Sequence, residues 1–396
     1  MIALLTLGLY PSSGGPAKSI RAFRDALGAE VVSWVDPAEL VAQDLIWDRT
    51  TVVTGSAAPV LKQLQIPVNG STTAAERLIA QSRLVSVHSF WRWHNAWIHK
   101  VCRRHGVPYW YVPHGSLDPY VFESGATTKR LFMRGVGRTF LRDAATVVYS
   151  TEREREKARD IVGHDRAEVI HWPLADSDFR KRDSSVRAAT RARLGIPEQA
   201  VTFLYFGRLS PMKRPLDTIR AFSAAETGGA HLIIVGNDFG ITAADCRRVA
   251  AEAGVANRVH VIGAVYGAEK YGYLDAADVY MSLSSRENFN YTAAEALASG
   301  LVLILSPGND LAPDLACLSG VIRLADDSPE TTLDALQAVA GQGVQALAAQ
   351  GAAGAVWARE HLSKARFDAA VAAAADRHAG LRPPYGARSA DLQEQS

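Results

Sequence analysis

Two glutamates eight positions apart, Glu287 and Glu295, lie on either side of an Asn-Phe-Asn turn. An apolar run before the turn predicts a buried strand, and an alanine-rich run after it predicts a helix that ends at Gly300. Asn288 or Asn290 can cap this helix, and the free backbone N–H groups of its first turn form an anion site. Carboxylates beside such a site favour a ligand that contains hydroxyls as well as phosphates.

A second candidate site is the loop after the apolar strand 201–206, which contains Arg208 and Lys213 and leads into a predicted helix. A guanidinium and an ammonium beside a helix N-terminus suit a diphosphate. They would also neutralise the negative charge that grows on a diphosphate leaving group. The alternative interpretation is a pair of ordinary surface cations.

Two histidines follow apolar strands in the N-terminal half, at the strand ends where open parallel sheets bind their ligands. His114 comes after the strand 109–112 and precedes Gly115, which gives the backbone room to turn. His88 has an equivalent place after the strand 84–87. Each histidine either meets a ligand or holds its loop through hydrogen bonds.

Trp91 and the pair Gly14-Gly15 are weaker signals. Trp91 belongs to an aromatic stretch that either packs internally or forms a wall for a sugar acceptor. The two glycines lie between the first strand, 2–9, and a predicted helix, where the backbone can approach a ligand closely. The alternative is a plain strand-to-helix loop, because the dinucleotide fingerprint G-x-G-x-x-G is absent.

Length and composition are those of an ordinary globular protein with two domains or perhaps three, since the chain has 396 residues, 48% of them hydrophobic and 21% charged. A net charge of +2 gives no electrostatic case for binding nucleic acid. Three widely spaced cysteines show no disulfide or zinc pattern, which predicts a reducing compartment, the cytoplasm. The apolar N-terminus predicts a first strand rather than a signal peptide, and no run is long enough to span a membrane.

Strands alternate with helices along the chain, which predicts α/β domains with parallel sheets. A polar stretch from Asp178 to Arg187 predicts a linker between two such halves. Helices are expected at 332–350 and 354–378. The predicted strands are 2–9, 31–35, 51–54, 84–87, 109–112, 147–149, 169–171, 201–206, 232–235, 259–262, 278–283, 301–305 and 321–324.

Residues 129–142 combine many bases with interleaved apolar side chains. Such a basic amphipathic segment can rest on an anionic membrane surface. The alternative is a solvated helix face. The predicted location is therefore the cytoplasm, with or without peripheral contact to the cytoplasmic face of a membrane.

Taken together, these motifs resemble those of the family 4 glycosyltransferases, which have the GT-B fold, and the resemblance extends over most of the chain. The strongest motif is an E-x7-E pattern from Glu287 to Glu295, with Phe289 between the glutamates and Ala-Leu-Ala-Ser-Gly after them. Other segments resemble the family's glycine loop, its diphosphate-binding loop, its histidine segment and the stretch before its last helix. In that order, they are Gly14-Gly15, Gly207-Arg208 with Lys213, 113–119 and 356–363.

The resemblance implies two Rossmann-like parallel-sheet domains that face each other across a cleft. Residues 1–180 would form the acceptor-side domain and 195–355 the domain that binds the nucleotide sugar. A helix, 356–380, would cross back to the N-terminal domain, and 381–396 would be a flexible tail.

The resemblance also implies a retaining transfer of a hexose from a UDP- or GDP-linked sugar to a hydroxyl of a glycan or lipid-linked acceptor in surface polysaccharide or glycolipid biosynthesis. Neither a metal nor another cofactor is expected. His114 and Glu287 would be catalytic residues at the donor sugar, and Glu295 would bind the ribose. The donor would contact Gly15, Arg208, Lys213, Val265, Lys270, Asn288, Phe289, Asn290, Tyr291, Thr292 and Glu295, and the acceptor would lie near Gly14, His88 and Trp91.

The turn between the two glutamates departs from the family pattern, since the usual Glu-Gly-Phe-Gly reads Glu287-Asn-Phe-Asn290 here. Asparagine tolerates the left-handed backbone conformation better than most residues, so the turn is expected to survive. Its side chains are expected to alter the sugar pocket. The departure leaves open an alternative function, a catalytically impaired nucleotide-sugar-binding module of the same fold.

Overall fold

The computed structural model of the chain describes residues 1–6, 15–34, 50–53, 72–123 and 125–379. The chain forms two compact units. Unit 1 contains Met1–Pro173 and the segment that begins at Ala365, and unit 2 is Leu174–Lys364.

Unit 1 is built on a sheet that has seven strands within the described residues, and every pair of neighbouring strands is parallel. The strands are β1 (Ile2–Thr6), β2 (Glu30–Ser33), β3 (Thr50–Val52), β4 (Leu84–His88), β5 (Tyr109–Val112), β6 (Thr146–Tyr149) and β7 (Ala167–Val169). Their order is β3-β2-β1-β4-β5-β6-β7, so the order reverses between β1 and β4. The side chains of β1, β4 and β5 are buried throughout, as expected for strands covered on both faces.

Helices connect these strands within the described parts of unit 1. They are α1 (Gly15–Leu27), α2 (Thr73–Ala80), α3 (Trp93–His105), α4 (Ala126–Phe132), α5 (Arg138–Asp143) and α6 (Glu152–Val162). A turn of π-helix, Met133–Gly137, joins α4 to α5. The hydroxyl of Thr151 caps α6 by accepting a hydrogen bond from the backbone N–H of Glu154 at 3.1 Å.

Unit 2 has a six-stranded sheet whose neighbouring strands are again all parallel. Its strands are β8 (Thr202–Phe206), β9 (His231–Val235), β10 (Val259–Gly263), β11 (Val279–Ser282), β12 (Val302–Leu305) and β13 (Val321–Arg323). Their order is β10-β9-β8-β11-β12-β13, with the reversal between β8 and β11. The prediction of two Rossmann-like parallel-sheet domains is therefore confirmed.

The helices of unit 2 are α7 (Ser184–Leu194), α8 (Pro215–Ala224), α9 (Ala243–Glu252), α10 (Lys270–Ala276), α11 (Tyr291–Ala298), α12 (Pro329–Ala340) and α13 (Val344–His361). The chain then continues into α14 (Lys364–Ala379), which packs in unit 1 through Phe367. The ring of Phe367 lies edge-on to that of Phe23, with 5.1 Å between the ring centroids.

The predicted linker is instead an ordered part of unit 2. Ser184 and Ser185 are exposed at the start of α7, but Asp178 is buried and Arg187 is half-buried. Further along α7, Arg191 is only 2% exposed. Its guanidinium donates to the carboxylate of Asp278 at 2.8 Å and to the carbonyl of Ala276, at the end of α10, at 2.9 Å. Arg187 contacts the same carboxylate. The charges therefore complete a helix C-terminus instead of facing water.

The predicted helices 332–350 and 354–378 are wrong in their boundaries. The break falls between α12 and α13, where Gly343 has a φ of +79°, and again at Leu362–Ser363 before α14. Residues 351–353, which fall between the two predicted helices, lie inside α13. A Cβ on Gly351 would be 2.0 Å from the carbonyl oxygen of Gly300, so this glycine permits a close approach of backbone to backbone.

Replacement of Gly351 by alanine tests this packing. We expect Gly351→Ala to lower the free energy of unfolding of unit 2 by about 2 kcal/mol or more, because the new methyl group would force backbone to move. Gly229→Ala is the matched control, since its Cβ would meet nothing within 4 Å. Urea unfolding followed by tryptophan fluorescence measures both variants, and equal stability of the two would contradict the packing described.

Candidate active site

Strained backbone marks the carboxyl ends of the strands around both order reversals. Five residues other than glycine have a positive φ within the described part of the chain: Ser89, Trp91, His114, Arg214 and Asn290. They follow β4, β5, β8 and β11 along the chain. Such backbone costs about 1–3 kcal/mol per residue and is concentrated at ligand sites. Most of the predicted site residues are among these residues or close to them in the chain, and the exceptions are Gly14, Gly15, Val265 and Lys270.

Lys213 and Glu287 form the polar centre of the unit 2 edge. The Lys213 ammonium contacts Oε1 of Glu287, and the two side chains are only 13% and 11% exposed. Oε1 also accepts a hydrogen bond from the Ser284 hydroxyl at 2.9 Å. The backbone N–H of Glu287 donates to the carbonyl of Gly308 at 2.7 Å. Two loops that are 74 residues apart in the sequence are thus joined by one ion pair.

Arg208 lies in the same loop as Lys213 but is exposed. Its guanidinium stacks over the ring of Phe239, 4.7 Å from the centroid, and the Tyr205 hydroxyl donates to its backbone carbonyl at 2.7 Å. The sequence analysis did not identify Phe239. An exposed aromatic residue directly after β9, beside a predicted anion site, was the available signal.

The Asn-Phe-Asn turn keeps the left-handed conformation that the sequence predicts for it. Asn290 has a φ of +50° and caps α11, accepting a hydrogen bond from the backbone N–H of Ala293 at 3.2 Å. Its amide also donates to Oδ1 of Asn309 at 2.6 Å. Asn290 is therefore turned into the protein interior, which corrects our expectation that its side chain alters the sugar pocket. Asn288 is half-buried.

The remaining predicted donor residues of the turn lie at the start of α11. Phe289 is buried and contacts the ring of Tyr291 edge-on, with 5.1 Å between centroids. The Thr292 hydroxyl lies 3.0 Å from the hydroxyl of Tyr280, which is buried in β11. These contacts fix the first turn of α11 to the sheet.

Glu295 belongs to an ionic cluster on the inner side of α11. The Lys270 ammonium lies 3.2 Å from Oε1 of Glu295 and 2.5 Å from Oδ1 of Asp178. Burial lowers the pKa of Lys270, but the two carboxylates outweigh this effect and raise it. Val265, the other predicted neighbour of the nucleobase, is buried in the loop after β10. The sequence analysis assigned Asp178 to a linker and missed its role here.

In unit 1, His88 and His114 belong to one line of hydrogen bonds. Nδ1 of His88 lies 2.9 Å from Nε2 of His114. On the other side of its ring, Nε2 of His88 lies 2.8 Å from the Ser86 hydroxyl. That hydroxyl accepts a hydrogen bond from the indole N–H of Trp110. At the other end of the line, Nδ1 of His114 lies 3.3 Å from the hydroxyl of Ser19.

The ends of this line determine its direction. The indole of Trp110 is only a donor, and the carbonyl of Pro16, to which the Ser19 hydroxyl donates at 3.0 Å, is only an acceptor. Each group between them therefore donates to the next, from Trp110 towards Pro16. In this arrangement both histidines have their proton on Nδ1, and both ring nitrogens of His114 are already engaged.

Both histidines are neutral in this arrangement. Burial lowers the pKa of His114 to about 3. Burial lowers the pKa of His88 well below its ordinary value, and the neighbouring His114 lowers it further. We had predicted that His88 lies near the acceptor. Its ring is fully buried, so it positions His114 and does not contact an acceptor directly.

Trp91 and Glu154 hold the loop that contains His114. The indole N–H of Trp91 donates to the carbonyl of Ser116 at 2.9 Å, and its ring packs edge-on against Phe122. A carboxylate oxygen of Glu154 accepts from the backbone N–H of Gly115 at 2.7 Å. Trp91 therefore acts within the loop instead of forming an open acceptor wall.

The predicted glycine loop is only partly described. Gly15 begins α1, and its carbonyl accepts a weak hydrogen bond from Ser19 at 3.5 Å. Gly14 lies outside the described residues. In the part of the chain that the structure describes, no group of three or more His, Cys, Asp or Glu side chains could hold a metal ion. None of the described helices is long and apolar enough to cross a membrane.

A variant of His88 tests the neutral histidine pair. Because the folded protein holds His88 below its ordinary pKa of about 6.5, its contribution to stability is present above that pH and decreases below it. Between pH 7.5 and pH 5.5, the free energy of unfolding of the wild type should therefore fall by about 1 kcal/mol more than that of His88→Phe. Urea unfolding at the two pH values measures this difference.

Phe23→Leu is the matched control, because Phe23 packs edge-on against His88 at 5.1 Å and does not titrate. It should lower stability equally at both pH values. If the free energy of unfolding of His88→Phe depends on pH as strongly as that of the wild type, the two histidines are not a neutral pair.

Two family models match the chain. The model described as glycosyl transferases group 1 matches residues 186–326, most of unit 2, and the model described as glycosyl transferase 4-like domain matches residues 10–173, most of the N-terminal part of unit 1.

Curated relatives include a GDP-mannose:cellobiosyl-diphosphopolyprenol alpha-mannosyltransferase from Xanthomonas campestris. It is 28% identical over 251 residues, which cover 62% of this chain and 60% of that protein. A D-inositol 3-phosphate glycosyltransferase from Streptomyces scabiei is 29% identical over 242 residues, or 57% of this chain and 53% of that protein. The chain thus spans less than two thirds of these relatives.

Solved structures share the fold at low sequence identity. Anabaena HepE in complex with UDP and glucose has a TM-score of 0.71 and 17% identity, covering 95% of this chain and 99% of HepE. WaaG, a glycosyltransferase involved in lipopolysaccharide biosynthesis, has a TM-score of 0.62 and 16% identity, and the match covers 96% of this chain and 100% of WaaG. These likenesses confirm the predicted GT-B fold class. With both halves matched by glycosyltransferase models, the chain belongs to the family 4 glycosyltransferases, the glycosyl transferases of group 1.

Proposed function

We propose that the chain transfers a hexose from a UDP- or GDP-linked sugar to a hydroxyl of a glycan or lipid-linked acceptor, in surface polysaccharide or glycolipid biosynthesis. The relatives support this reaction, since one of them is named for the use of GDP-mannose and a diphosphopolyprenol-linked acceptor. A structural neighbour binds UDP and glucose. The base and the sugar of the donor are the open choices within this proposal.

The ion pair of Lys213 and Glu287 at the edge of the unit 2 sheet is the observation that supports the proposal best. It lies where the strand order reverses, which is the ligand site of open parallel sheets. It combines a cation for phosphate with a carboxylate for sugar hydroxyls, and α11 begins three residues after the turn's first asparagine.

Each donor group has a proposed partner in unit 2. Lys213 and the exposed Arg208 bind the diphosphate, and the backbone from Asn288 to Thr292 supports its outer phosphate. Glu287 accepts hydrogen bonds from the sugar. Further groups bind the nucleoside: Glu295 for the ribose hydroxyls, and Val265 and Lys270 for the base.

The proposed chemistry retains the configuration of the sugar. The bond between the anomeric carbon and the diphosphate oxygen breaks, and the acceptor oxygen bonds to that carbon on the same face, through an oxocarbenium-like state. The acceptor proton passes to the departing diphosphate. Lys213 and Arg208 stabilise the charge that develops on the leaving group, so the proposal needs no metal for this task.

His114 is proposed to contact the donor sugar as a neutral group. Its two ring nitrogens already have partners in Ser19 and His88, and its pKa is about 3. We therefore propose that His114 acts through its ring edge and its left-handed backbone, without accepting the acceptor proton.

The alternative of an impaired binding module rested on the Asn-Phe-Asn turn. Asn290 adopts the left-handed conformation of the turn and caps α11. Because the turn and the start of α11 are intact, we propose catalysis instead of binding alone.

Transfer activity tests the proposed donor site. We expect Lys213→Ala and Glu295→Ala to lower kcat/KM at least about 100-fold, because charge stabilisation and ribose binding are lost. Donors are chosen first by thermal shift with UDP, GDP and ADP, since only ligands of the native state raise its stability. Radiolabelled transfer or slow donor hydrolysis then measures activity.

Lys181→Ala is the matched control, because Lys181 is an exposed cation of the same unit. It should leave kcat/KM unchanged. Undiminished activity of the Lys213 and Glu295 variants would reject the proposed site.

Peripheral membrane contact is proposed for the exposed face of 126–143. The apolar side chains of this segment mostly pack inward, which corrects the simple amphipathic prediction, and Leu131 is the exception at 71% exposure. Arg130, Arg134 and Arg138 are exposed around it. A cationic face with one apolar residue suits anionic headgroups, and it would place the enzyme on the cytoplasmic side of a membrane.

Charge reversal tests this contact. The triple variant Arg130→Glu, Arg134→Glu, Arg138→Glu should bind phosphatidylglycerol vesicles at least about 100-fold more weakly, since each arginine contributes about 1 kcal/mol near an anionic surface. The control is Arg220→Glu, Arg247→Glu, Arg248→Glu, which changes the net charge equally on exposed helices of unit 2. Co-sedimentation measures binding, and equal binding of wild type to phosphatidylcholine vesicles would refute the contact.

A further inference from the structure

Three side chains from separate segments meet behind α11. Asp178 lies in the 3-10 helix Asp176–Phe179, Lys270 begins α10, and Glu295 lies on α11. Asp178 and Glu295 each have side chains that are 5% exposed, and Lys270 is 16% exposed. The cluster is therefore largely buried, and charge–charge interactions are stronger there than at the open surface.

The cluster contains two carboxylates for one ammonium. Lys270 lies closer to Asp178, at 2.5 Å, than to Glu295, at 3.2 Å. Further donors fix Asp178 in place, because the Tyr271 hydroxyl donates to its Oδ1 at 3.0 Å and the backbone N–H of Ala175 donates to its Oδ2 at 3.1 Å. The ammonium is thus shared between the two carboxylates, with Asp178 as its nearer partner.

We propose that Asp178 is a positioning residue that holds Lys270 back from Glu295, so that Glu295 can accept hydrogen bonds from the 2′ and 3′ hydroxyls of a nucleoside diphosphate. This inference rests on the proposed function, in which Glu295 binds the ribose. Without the Asp178 charge, the Lys270 ammonium is drawn closer to Glu295. The ribose hydroxyls must then compete with an ammonium for the same oxygens.

Binding of matched nucleotides separates this role from a general structural one. Titration calorimetry compares UDP and GDP with their 2′,3′-dideoxy forms, which lack the hydroxyls, and the base that binds wild type is used throughout. In wild type the ribose form should bind at least tenfold more tightly than the dideoxy form. In Asp178→Asn this ratio should fall to twofold or less, through weaker binding of the ribose form alone.

Three further variants sharpen the test. Asp176→Asn is the matched control, because Asp176 is an exposed carboxylate of the same 3-10 helix, and it should keep the wild-type ratio. Asp178→Glu keeps the charge and should retain most of the ratio. The double variant Asp178→Asn, Lys270→Gln removes the competing ammonium and should restore the ratio, even if it binds both nucleotides more weakly.

The outcomes distinguish the two proposals. The positioning role is overturned if Asp178→Asn keeps the wild-type ratio, or if it loses affinity for the ribose and dideoxy forms equally. If Asp178→Asn folds poorly, the double variant decides the case. If Glu295→Gln abolishes the ratio while Asp178→Asn does not, only the positioning role fails. If wild type binds neither UDP nor GDP, the proposed function fails and this inference fails with it. In transfer assays Asp178→Asn should raise the donor KM five- to tenfold and change kcat less than twofold.

Discussion

Parallel pairing of the strands is the constraint on which the candidate site depends. Because all strands of a parallel sheet run in one direction, their carboxyl ends share an edge, and the loops that leave them become neighbours. Lys213 reaches Glu287 in this way across 74 residues. His88 and His114 meet by the same geometry in unit 1. The left-handed residues lie after the same strands, so strain is placed where ligands are expected to bind.

The two units satisfy their buried polar groups by different means. In unit 1 a line of neutral hydrogen bonds joins Trp110 to the start of α1, and its direction follows from a donor-only end and an acceptor-only end. In unit 2 the corresponding edge uses ion pairs, which leave a carboxylate and an ammonium beside one another. A neutral, directional network suits the orientation of a sugar. A cation beside a carboxylate suits a diphosphate whose own charge must be balanced.

Local patterns predicted much of this structure. Each predicted strand overlaps an observed one, and the left-handed cap at Asn290 followed from residue type alone. The errors have a common origin in packing. Asp178 was assigned to a linker but is buried against Lys270. The predicted helices 332–350 and 354–378 left out Gly351, which lies inside α13 and permits a close backbone contact. His88 appeared to be a ligand residue but lies beneath His114.

The element types, their alternation and the strand ends at which polar residues gather can all be read from the amino-acid sequence. Hydrophobic runs, caps and glycines are local signals, so they can be read from neighbouring residues. The partners of those residues become known only from the folded protein: Asp178 for Lys270, Phe239 for Arg208, Asn309 for Asn290 and Ser86 for His88. A side chain's partner depends on the register and packing of elements that are far apart in the chain, and a local pattern carries no information about which of these elements meet.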